Sequence, residues 1–227
     1  MRSRYVLVIK HIDFETGGHA ATATAHLPTA DAFVPRQRPD LDELAGLVIL
    51  GGTMSAADVE NHPSIALTTQ LARDAIEAEI PTVGLCLGHQ ILGIALGARH
   101  QEGAVHEIGL HPVDIVAEDP WIGAAPGSLE VVQWHNDVVD LPQGATLLAS
   151  NATWENQAFR YGSAVGMQFH LEVDDRTLGL WLDREDFATR SGRDARELRA
   201  QYRANSTLHD AAKSGFRAFA EACASRI

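Results

Sequence analysis

The chain has 227 residues, of which 45% are hydrophobic and 21% are charged, and this composition excludes disorder as the main state. Acidic residues outnumber Lys and Arg by 30 to 18, so the net charge of −12 argues against nucleic acid and anionic membrane surfaces as partners. No apolar run approaches the roughly 18 residues of a membrane span, and two cysteines are too few for a disulfide framework, so we expect a cytoplasmic protein.

Short apolar runs bounded by Gly, Pro or Asp recur along the chain and predict strands. Between the second and third runs, residues 63–79 show the periodicity of an amphipathic helix, with Asn61 and Pro63 as start signals. A second helix is predicted at 87–96. This alternation indicates an α/β fold with a mainly parallel sheet covered on both faces, and a hairpin extension after residue 105. The predicted strands are 5–9, 47–50, 82–86, 112–116, 129–134, 145–149 and 164–169.

The composition changes at residue 183, which predicts a domain at 1–182 and a helical C-terminal extension at 183–227 packed on the same domain. Thr207 and Asp210 form a pattern typical of a capping box that opens a helix. Cys223 lies on the apolar stripe of this helix and is interpreted as a small buried residue rather than a nucleophile. The stripe consists of Leu208, Ala212, Phe216, Phe219 and Cys223.

The strongest signal for chemistry is Gly84-Leu-Cys86-Leu-Gly88, where an apolar strand ends and a helix begins at once. This pattern is typical of a nucleophile elbow, with sulfur in place of hydroxyl. Small residues two positions before and after the nucleophile let the strand and helix pass each other. The positive end of the helix favours a thiolate, so Cys86 is the predicted nucleophile. The alternative is an inert cysteine in an ordinary tight turn.

A cysteine nucleophile that expels an amine needs a proton carrier, and that carrier needs an orienting acceptor. His170 and Glu172 supply both types of group at the end of a predicted strand. If the strand continues, positions two apart point to one side, so Glu172 can orient the ring of His170 while the ring faces Cys86. A histidine at a strand end is often structural, and its pairing with Cys86 favours the catalytic interpretation.

A Gly-Gly turn follows the predicted strand 47–50. Because parallel strands end at the same edge of a sheet, the backbone N–H groups of Gly52 and Leu87 are expected to converge there. Two such donors stabilise the oxyanion of an acyl-transfer intermediate. A plain turn is the alternative for Gly51 and Gly52.

Three segments in this order and spacing, 51–55, 84–90 and 168–173, resemble those of the class I (triad) glutamine amidotransferases. The chain is most similar to the amidotransferase portion of GMP synthase and its stand-alone relatives, and the similarity runs from about Tyr5 to Leu182. The resemblance implies a flavodoxin-like α/β fold. It also implies hydrolysis of the glutamine side-chain amide, with a thioester at Cys86 and release of ammonia and glutamate.

In the same resemblance, His170 acts as base and acid and Glu172 orients it. The substrate-binding positions that match the family are Gly51, Gln90, His135, Asn136 and Asp137. No cofactor is implied. No pair among the eleven histidines has a convincing helical ligand spacing, so we expect no catalytic metal.

The chain departs from the common family pattern at Thr53, Asn136 and Leu171, where Pro, Gly and Pro are often found. The side chain of Asn136 narrows the pocket for free glutamine or adds new polar groups to it. The alternative function is therefore a γ-glutamyl hydrolase or peptidase with the same triad. A non-catalytic ligand-sensing module is a third, which the complete triad disfavours. The chain lacks a segment typical of an ATP-using synthetase. Ammonia released by this chain would otherwise be lost to water. We therefore expect either a separate synthetase partner that uses the ammonia or a hydrolase that needs no partner.

Overall fold

The computed structural model describes residues 4–33, 38–184 and 189–227. Its strands are β1 (Tyr5–Lys10), β2 (Thr29–Phe33), β3 (Leu44–Ile49), β4 (Thr82–Leu85), β5 (His100–Gln101), β6 (Glu107–Ile115), β7 (Gly127–His135), β8 (Val138–Val139), β9 (Thr146–Ser150), β10 (Ala158–Tyr161) and β11 (Ala164–Met167). Its helices are α1 (Gly18–Thr24), α2 (Pro63–Glu77), α3 (Leu87–Ala95), α4 (Asp175–Leu182), α5 (Ala195–Ala204) and α6 (Ser206–Ala224).

In the described part of the chain, nine strands form one sheet in the order β2-β1-β3-β4-β11-β10-β9-β6-β7. The first five strands in this order are parallel to one another. Their order is that of flavodoxin-like folds, in which ligands bind outside the carboxyl ends of the strands. The predicted fold class is therefore confirmed.

The parallel strands are apolar on both faces because helices cover both. Along β1, Val6 and Val8 pack on the face that carries α1 and α6, whereas Leu7 and Ile9 pack on the face that carries α2 and α3. Burial of each such side chain contributes about 1.5–3 kcal/mol. This double cover explains why the strands are continuous apolar runs rather than alternating ones.

The other side of the sheet is antiparallel. β10 pairs with β11 and β9, and β6 pairs with β9 and β7. The hairpin of β6 and β7 confirms the predicted extension after residue 105, although both strands are longer than the predicted runs. Glu107 opposes His135 at the open end of this hairpin, away from the loop that connects the two strands.

Helix α6 contacts α1, β3 and β7. Its start was wrongly placed by the capping-box pattern: the helix begins at Ser206, and the side chain of Asn205 accepts a hydrogen bond from the N–H of Leu208. An Asn one residue before the helix satisfies this free N–H directly. The predicted domain boundary at residue 183 stays a prediction. The five residues of the predicted stripe, Leu208, Ala212, Phe216, Phe219 and Cys223, are all buried.

The elements that the sequence did not predict include α1, α4, β2, β10 and the two-residue strands β5 and β8. The sequence of α1 is Ala- and Thr-rich and carries no large apolar side chain, and β10 has only four residues. Helix α2 begins at Pro63 as predicted, but the Asn61 side chain hydrogen-bonds to Asp58 instead of capping the helix. Within the described ranges, every helix is too short or too polar to cross a bilayer.

Candidate active site

A cavity of about 300 Å³ opens where the parallel strands end. Segments after β1, β3 and β4 contribute to its wall, and so does the end of β7. This volume lies at the small end of the range for small-molecule sites. Predicted site residues on the wall are Gly52, Cys86, Leu87, Gln90, His135, Asn136, Asp137 and His170.

Cys86 occupies the sharp turn between β4 and α3, with a φ of 52° and a ψ of −103°. This left-handed backbone is strained for a residue with a side chain and is typical of a nucleophile elbow. A Cβ on Gly84 would lie 2.4 Å from the carbonyl oxygen of Gly88, and a Cβ on Gly88 would lie 2.1 Å from that of Ile49. Both glycines are therefore required for the chains to pass at this turn.

The thiol of Cys86 points to the carbonyl oxygen of Trp134, at 3.6 Å from the sulfur. The N–H of Cys86 donates to the carbonyl oxygen of Met167, at 2.8 Å, and so ties the elbow to β11. The side chain is buried but lines the cavity. The structure thus places Cys86 on the cavity wall, directly before the start of α3.

His170 and Glu172 form a buried pair in which Nδ1 of His170 donates to Oε1 of Glu172 at 2.7 Å. The expectation that they extend a strand is wrong, because β11 ends at Met167. Instead, the N–H of His170 donates to Val132 in an isolated antiparallel bridge. The backbone of Glu172 is held by the N–H of His19, which donates to its carbonyl oxygen at 2.7 Å.

The electrostatics of this pair favour a charged imidazole. Burial of the His170 ring opposes the charge, but the carboxylate of Glu172 and the sulfur of Cys86 raise the pKa of His170 well above its ordinary value. The edge of Trp181 packs against the ring, with centroids 4.7 Å apart and planes at 82°. These contacts fix the ring between the nucleophile and the orienting carboxylate.

Gly52 and Leu87 lie next to each other beside Cys86. A Cβ on Gly52 would lie 2.7 Å from Cδ2 of Leu87, so a larger residue at this position displaces the leucine. Both residues line the cavity. Their backbone N–H groups belong to the segments after β3 and β4, which is the arrangement that the oxyanion-hole hypothesis needs.

Of the predicted substrate-binding residues, Gln90 is the best fixed. Its side-chain amide donates to the carbonyl oxygen of Asp137 at 2.9 Å and to Oε1 of Gln168 at 3.3 Å. Gly51, by contrast, is buried, and its contact with substrate stays a prediction. Its open side faces Glu15 and His170, because a Cβ there would lie 2.9 Å from Oε1 of the glutamate.

His135 belongs to a buried polar network behind the cavity. Its Nε2 lies 3.2 Å from the carboxylate of Glu107, which also accepts hydrogen bonds from Asn151 and Gln157. Burial opposes the charge of Glu107, but these three partners lower its pKa below the ordinary value. The network fixes the end of the β6–β7 hairpin against the site.

Asn136 meets the C-terminal extension at the mouth of the cavity. Its Oδ1 accepts a hydrogen bond from Nη2 of Arg190 at 3.1 Å and lies 3.2 Å from Nδ1 of His106. Arg190 was not predicted as a site residue, because nothing in the pattern of a C-terminal helix indicates which side chain reaches the site.

Glu15, which lies on the cavity wall after β1, was not predicted either. Its position after the first parallel strand is a signal that could have found it, since such strands end at the same edge. A carboxylate oxygen of Glu15, a ring nitrogen of His170 and a carboxylate oxygen of Glu172 lie within 4.8 Å of one another. In the described part of the chain, these three side chains are the ones that lie close enough together to bind a cation. The absence of a catalytic metal stays a prediction.

Comparisons with known proteins agree with this geometry. The family model described as "Glutamine amidotransferase class-I" matches residues 19–185. The glutamine amidotransferase-like protein YfeJ of Salmonella typhimurium is 34% identical over 141 residues, or 59% of each chain. Gamma-glutamyl peptidase 5 of Arabidopsis thaliana is 30% identical over 170 residues, which cover 67% of this chain and 66% of that protein.

A glutamine-hydrolyzing GMP synthase subunit of Saccharolobus solfataricus is 36% identical over 107 residues, which cover 46% of this chain and 57% of that protein. The chain thus spans less than two thirds of the length of each of these three relatives. A solved glutamine amidotransferase from Thermotoga maritima superimposes with a TM-score of 0.88 at 32% identity, covering 97% of this chain and 100% of that chain. These matches confirm the resemblance that the motifs indicate.

Proposed function

Because the chain belongs to the class I glutamine amidotransferase family, we propose that it is a cysteine-nucleophile amidohydrolase that cleaves the side-chain amide of glutamine. The observation that carries this proposal is the triad geometry. Cys86 lies at a strained elbow, Glu172 and Cys86 raise the pKa of His170, and Nδ1 of that ring donates to Glu172 at 2.7 Å. A ligand-sensing module has no need of this arrangement.

The proposed reaction begins when the Cys86 thiolate attacks the side-chain carbonyl carbon of glutamine. The oxyanion of the tetrahedral intermediate accepts hydrogen bonds from the N–H groups of Gly52 and Leu87. The intermediate collapses when His170 protonates the nitrogen, and ammonia leaves. A thioester then links the glutamyl group to Cys86.

The second half of the reaction uses the same residues. Neutral His170 takes a proton from a water molecule, which attacks the thioester carbonyl carbon. Collapse of the second tetrahedral intermediate releases glutamate and restores the Cys86 thiolate and the charged ring. Glu172 holds the ring orientation through both halves. Gln90, His135, Asn136 and Asp137 lie on the wall where the amino-acid end of the substrate is expected.

The test is release of ammonia and glutamate from millimolar glutamine by the purified chain, with Cys86→Ala as the control. The proposal predicts equal amounts of both products from the wild type and none from the variant. A glutamine-like alkylating analogue should label Cys86 at the same time. Release that persists in Cys86→Ala contradicts the proposal.

A second candidate function is γ-glutamyl hydrolysis with a larger leaving group. The observation that favours it is Arg190 at the cavity mouth, where its guanidinium reaches Asn136. A cation at this position suits a leaving group that carries a carboxylate, as an amino acid or peptide does. The relevant comparison is kcat/KM for γ-glutamylglycine and for glutamine. A ratio well above one assigns the chain to γ-glutamyl peptides, and a ratio well below one assigns it to glutamine.

If glutamine is the substrate, we expect a separate synthetase partner that consumes the ammonia. The similarity to glutamine-hydrolyzing GMP synthase subunits supports this expectation. Affinity capture with the tagged chain, followed by measurement of glutaminase activity in the complex, tests it. A glutaminase that is fully active alone and captures no ATP-using enzyme contradicts the partner hypothesis. The cytoplasmic location expected from the sequence stays a prediction.

A further inference from the structure

Glu15 is a buried carboxyl group that the proposed mechanism does not use. It lies in the segment between β1 and α1, and its residue is only 3% exposed. Its Oε2 has no hydrogen-bond partner among the described residues. A buried carboxyl oxygen without a partner is costly, and such groups in native proteins are often found at functional sites.

Glu15 lies directly beside the ring of His170. Oε1 of Glu15 and Cε1 of His170 lie 2.9 Å and 3.2 Å from the point where a Cβ on Gly51 would be. The glutamate therefore approaches the carbon edge of the imidazole through the space that Gly51 leaves open. Any larger residue at position 51 forces the two groups apart.

Glu15 and Glu172 thus place two carboxyl groups around one imidazole. Oxygens of both glutamates and a ring nitrogen of His170 lie within 4.8 Å of one another. At such distances an opposite charge shifts a pKa by about 1–3 units, and two like charges oppose each other's ionisation. Burial raises the pKa of Glu15 to about 7, with His170 acting against this rise and Glu172 adding to it.

We propose that Glu15 is a positioning residue that acts through His170, because its carboxylate, together with that of Glu172, stabilises the charged imidazole. The inference rests on the proposed function, in which the charged ring protonates the leaving nitrogen. When Glu15 is ionised, the ring keeps its proton to a higher pH. When Glu15 is neutral, Glu172 alone holds the charge.

Other titratable groups in the described residues also interact with this cluster. Cys86 faces the ring from the β4–α3 turn. The charge of Glu172 also acts on His19 of α1 and on Tyr202 of α5. Burial lowers the pKa of His11, just after β1, to about 4, so this ring is neutral across the range that matters. Glu15 lies within 4.8 Å of His170, and the charge of His170 lowers the pKa of Glu15, so the two groups interact.

The experiment follows the ring nitrogens of His170 by NMR as a function of pH in the full chain. His170→Gln assigns the signals by their absence, and Glu15→Gln removes the charge while it keeps the shape. We expect the midpoint of the His170 titration to fall by about one pH unit or more in Glu15→Gln. The alkaline limb of the pH profile of kcat/KM should shift to lower pH by the same amount. A merely structural role of Glu15 does not explain such a shift.

Glu102→Gln is the matched control, because it removes a carboxylate from the cavity wall outside the cluster. A midpoint that stays within about 0.3 pH unit in Glu15→Gln, or that falls equally in Glu102→Gln, overturns the proposal. If Glu15→Gln does not fold, Glu15→Asp replaces it. The shorter side chain moves the carboxylate away from His170 by one methylene, so the His170 midpoint should fall by less than in Glu15→Gln. An unchanged His170 midpoint in Glu15→Asp counts against the proposal. The titration needs no substrate, so its outcome is separate from that of the proposed function.

Discussion

Nδ1 of His170 donates a hydrogen bond to Oε1 of Glu172 at 2.7 Å, and both side chains are excluded from solvent. This contact decides which ring nitrogen faces the cavity. Since Nδ1 is used by the carboxylate, Nε2 remains for the sulfur of Cys86 and the leaving nitrogen. If Glu172 only orients the ring, replacing Glu172 should lower activity less than replacing Cys86 or His170.

The first prediction concerns that inequality. Cys86→Ala and His170→Ala should each lower kcat by a factor on the order of 10⁶, and Glu172→Ala by about 10⁴, because the carboxylate only orients the base. Glutamine affinity should change little in Cys86→Ala. Steady-state kinetics and thermal unfolding of each variant test this. If all three variants simply unfold, the residues serve the core rather than the chemistry.

The second prediction concerns the elbow. Gly88→Ala should destabilise the protein by about 1–3 kcal/mol and abolish turnover, because the new Cβ overlaps a backbone carbonyl that cannot move freely. In Gly179→Ala of α4, by contrast, the nearest atom is the flexible end of Arg199 at 3.3 Å. Urea denaturation compares the two. Equal stabilities disprove the steric argument.

The third prediction is a pH dependence of stability through Glu107. The pKa of Glu107 is lower in the folded chain than its ordinary value of 4.5. The ionised carboxylate therefore stabilises the fold at pH values above 4.5, and this contribution is lost as the pH falls through the lower folded pKa. Glu107→Gln should therefore be less stable than the wild type by about 2 kcal/mol at pH 7. The difference should shrink below pH 4.5. Denaturant titrations at several pH values measure it, and a difference that is constant with pH contradicts the linkage.

The fourth prediction concerns Arg190. Arg190→Gln should lower kcat/KM for γ-glutamylglycine by about 10- to 100-fold, the effect of losing one charge-assisted hydrogen bond. Hydrolysis of γ-glutamyl methylamide, which has no carboxylate on its leaving group, should change little. The ratio of the two rates is the measurement. An equal loss for both substrates assigns Arg190 to the structure of the cavity mouth.

The fifth prediction separates the two cysteines. Burial raises the pKa of the Cys223 thiol to about 12, and its sulfur packs against Gly46 under α6. Iodoacetamide at neutral pH should therefore modify Cys86 and leave Cys223 unmodified. Mass spectrometry of the native chain and of Cys86→Ala tests this. Rapid modification of Cys223 in the variant contradicts its burial.

Local patterns were enough to predict much of the fold. The Gly-rich turn around Cys86 predicts a strand, an elbow and a helix at once, since only small residues fit on both sides of it. The apolar runs of β1, β3 and β4 predict parallel strands covered on both faces. The short helix α1 was missed because its residues carry no large apolar stripe, and its position depends on contact with the backbone of Glu172.

The residues of the proposed triad were identified in the sequence because the proposed chemistry demands particular residue types at the ends of strands. Glu15 was missed although it follows the first parallel strand, and nothing in the sequence pattern indicates Arg190. Each reaches the site through tertiary contacts, with Gly51 leaving room for the first and Asn136 accepting a hydrogen bond from the second. The isolated bridge between His170 and Val132 is likewise a long-range pairing that no local pattern contains.

The most direct test is the release of ammonia and glutamate from glutamine, and of amine and glutamate from γ-glutamyl amides, by the purified chain beside Cys86→Ala. We predict stoichiometric release from at least one of these substrates by the wild type and none by the variant. Equal release by both proteins, or no hydrolysis of any of these amides by the wild type, contradicts a cysteine amidohydrolase.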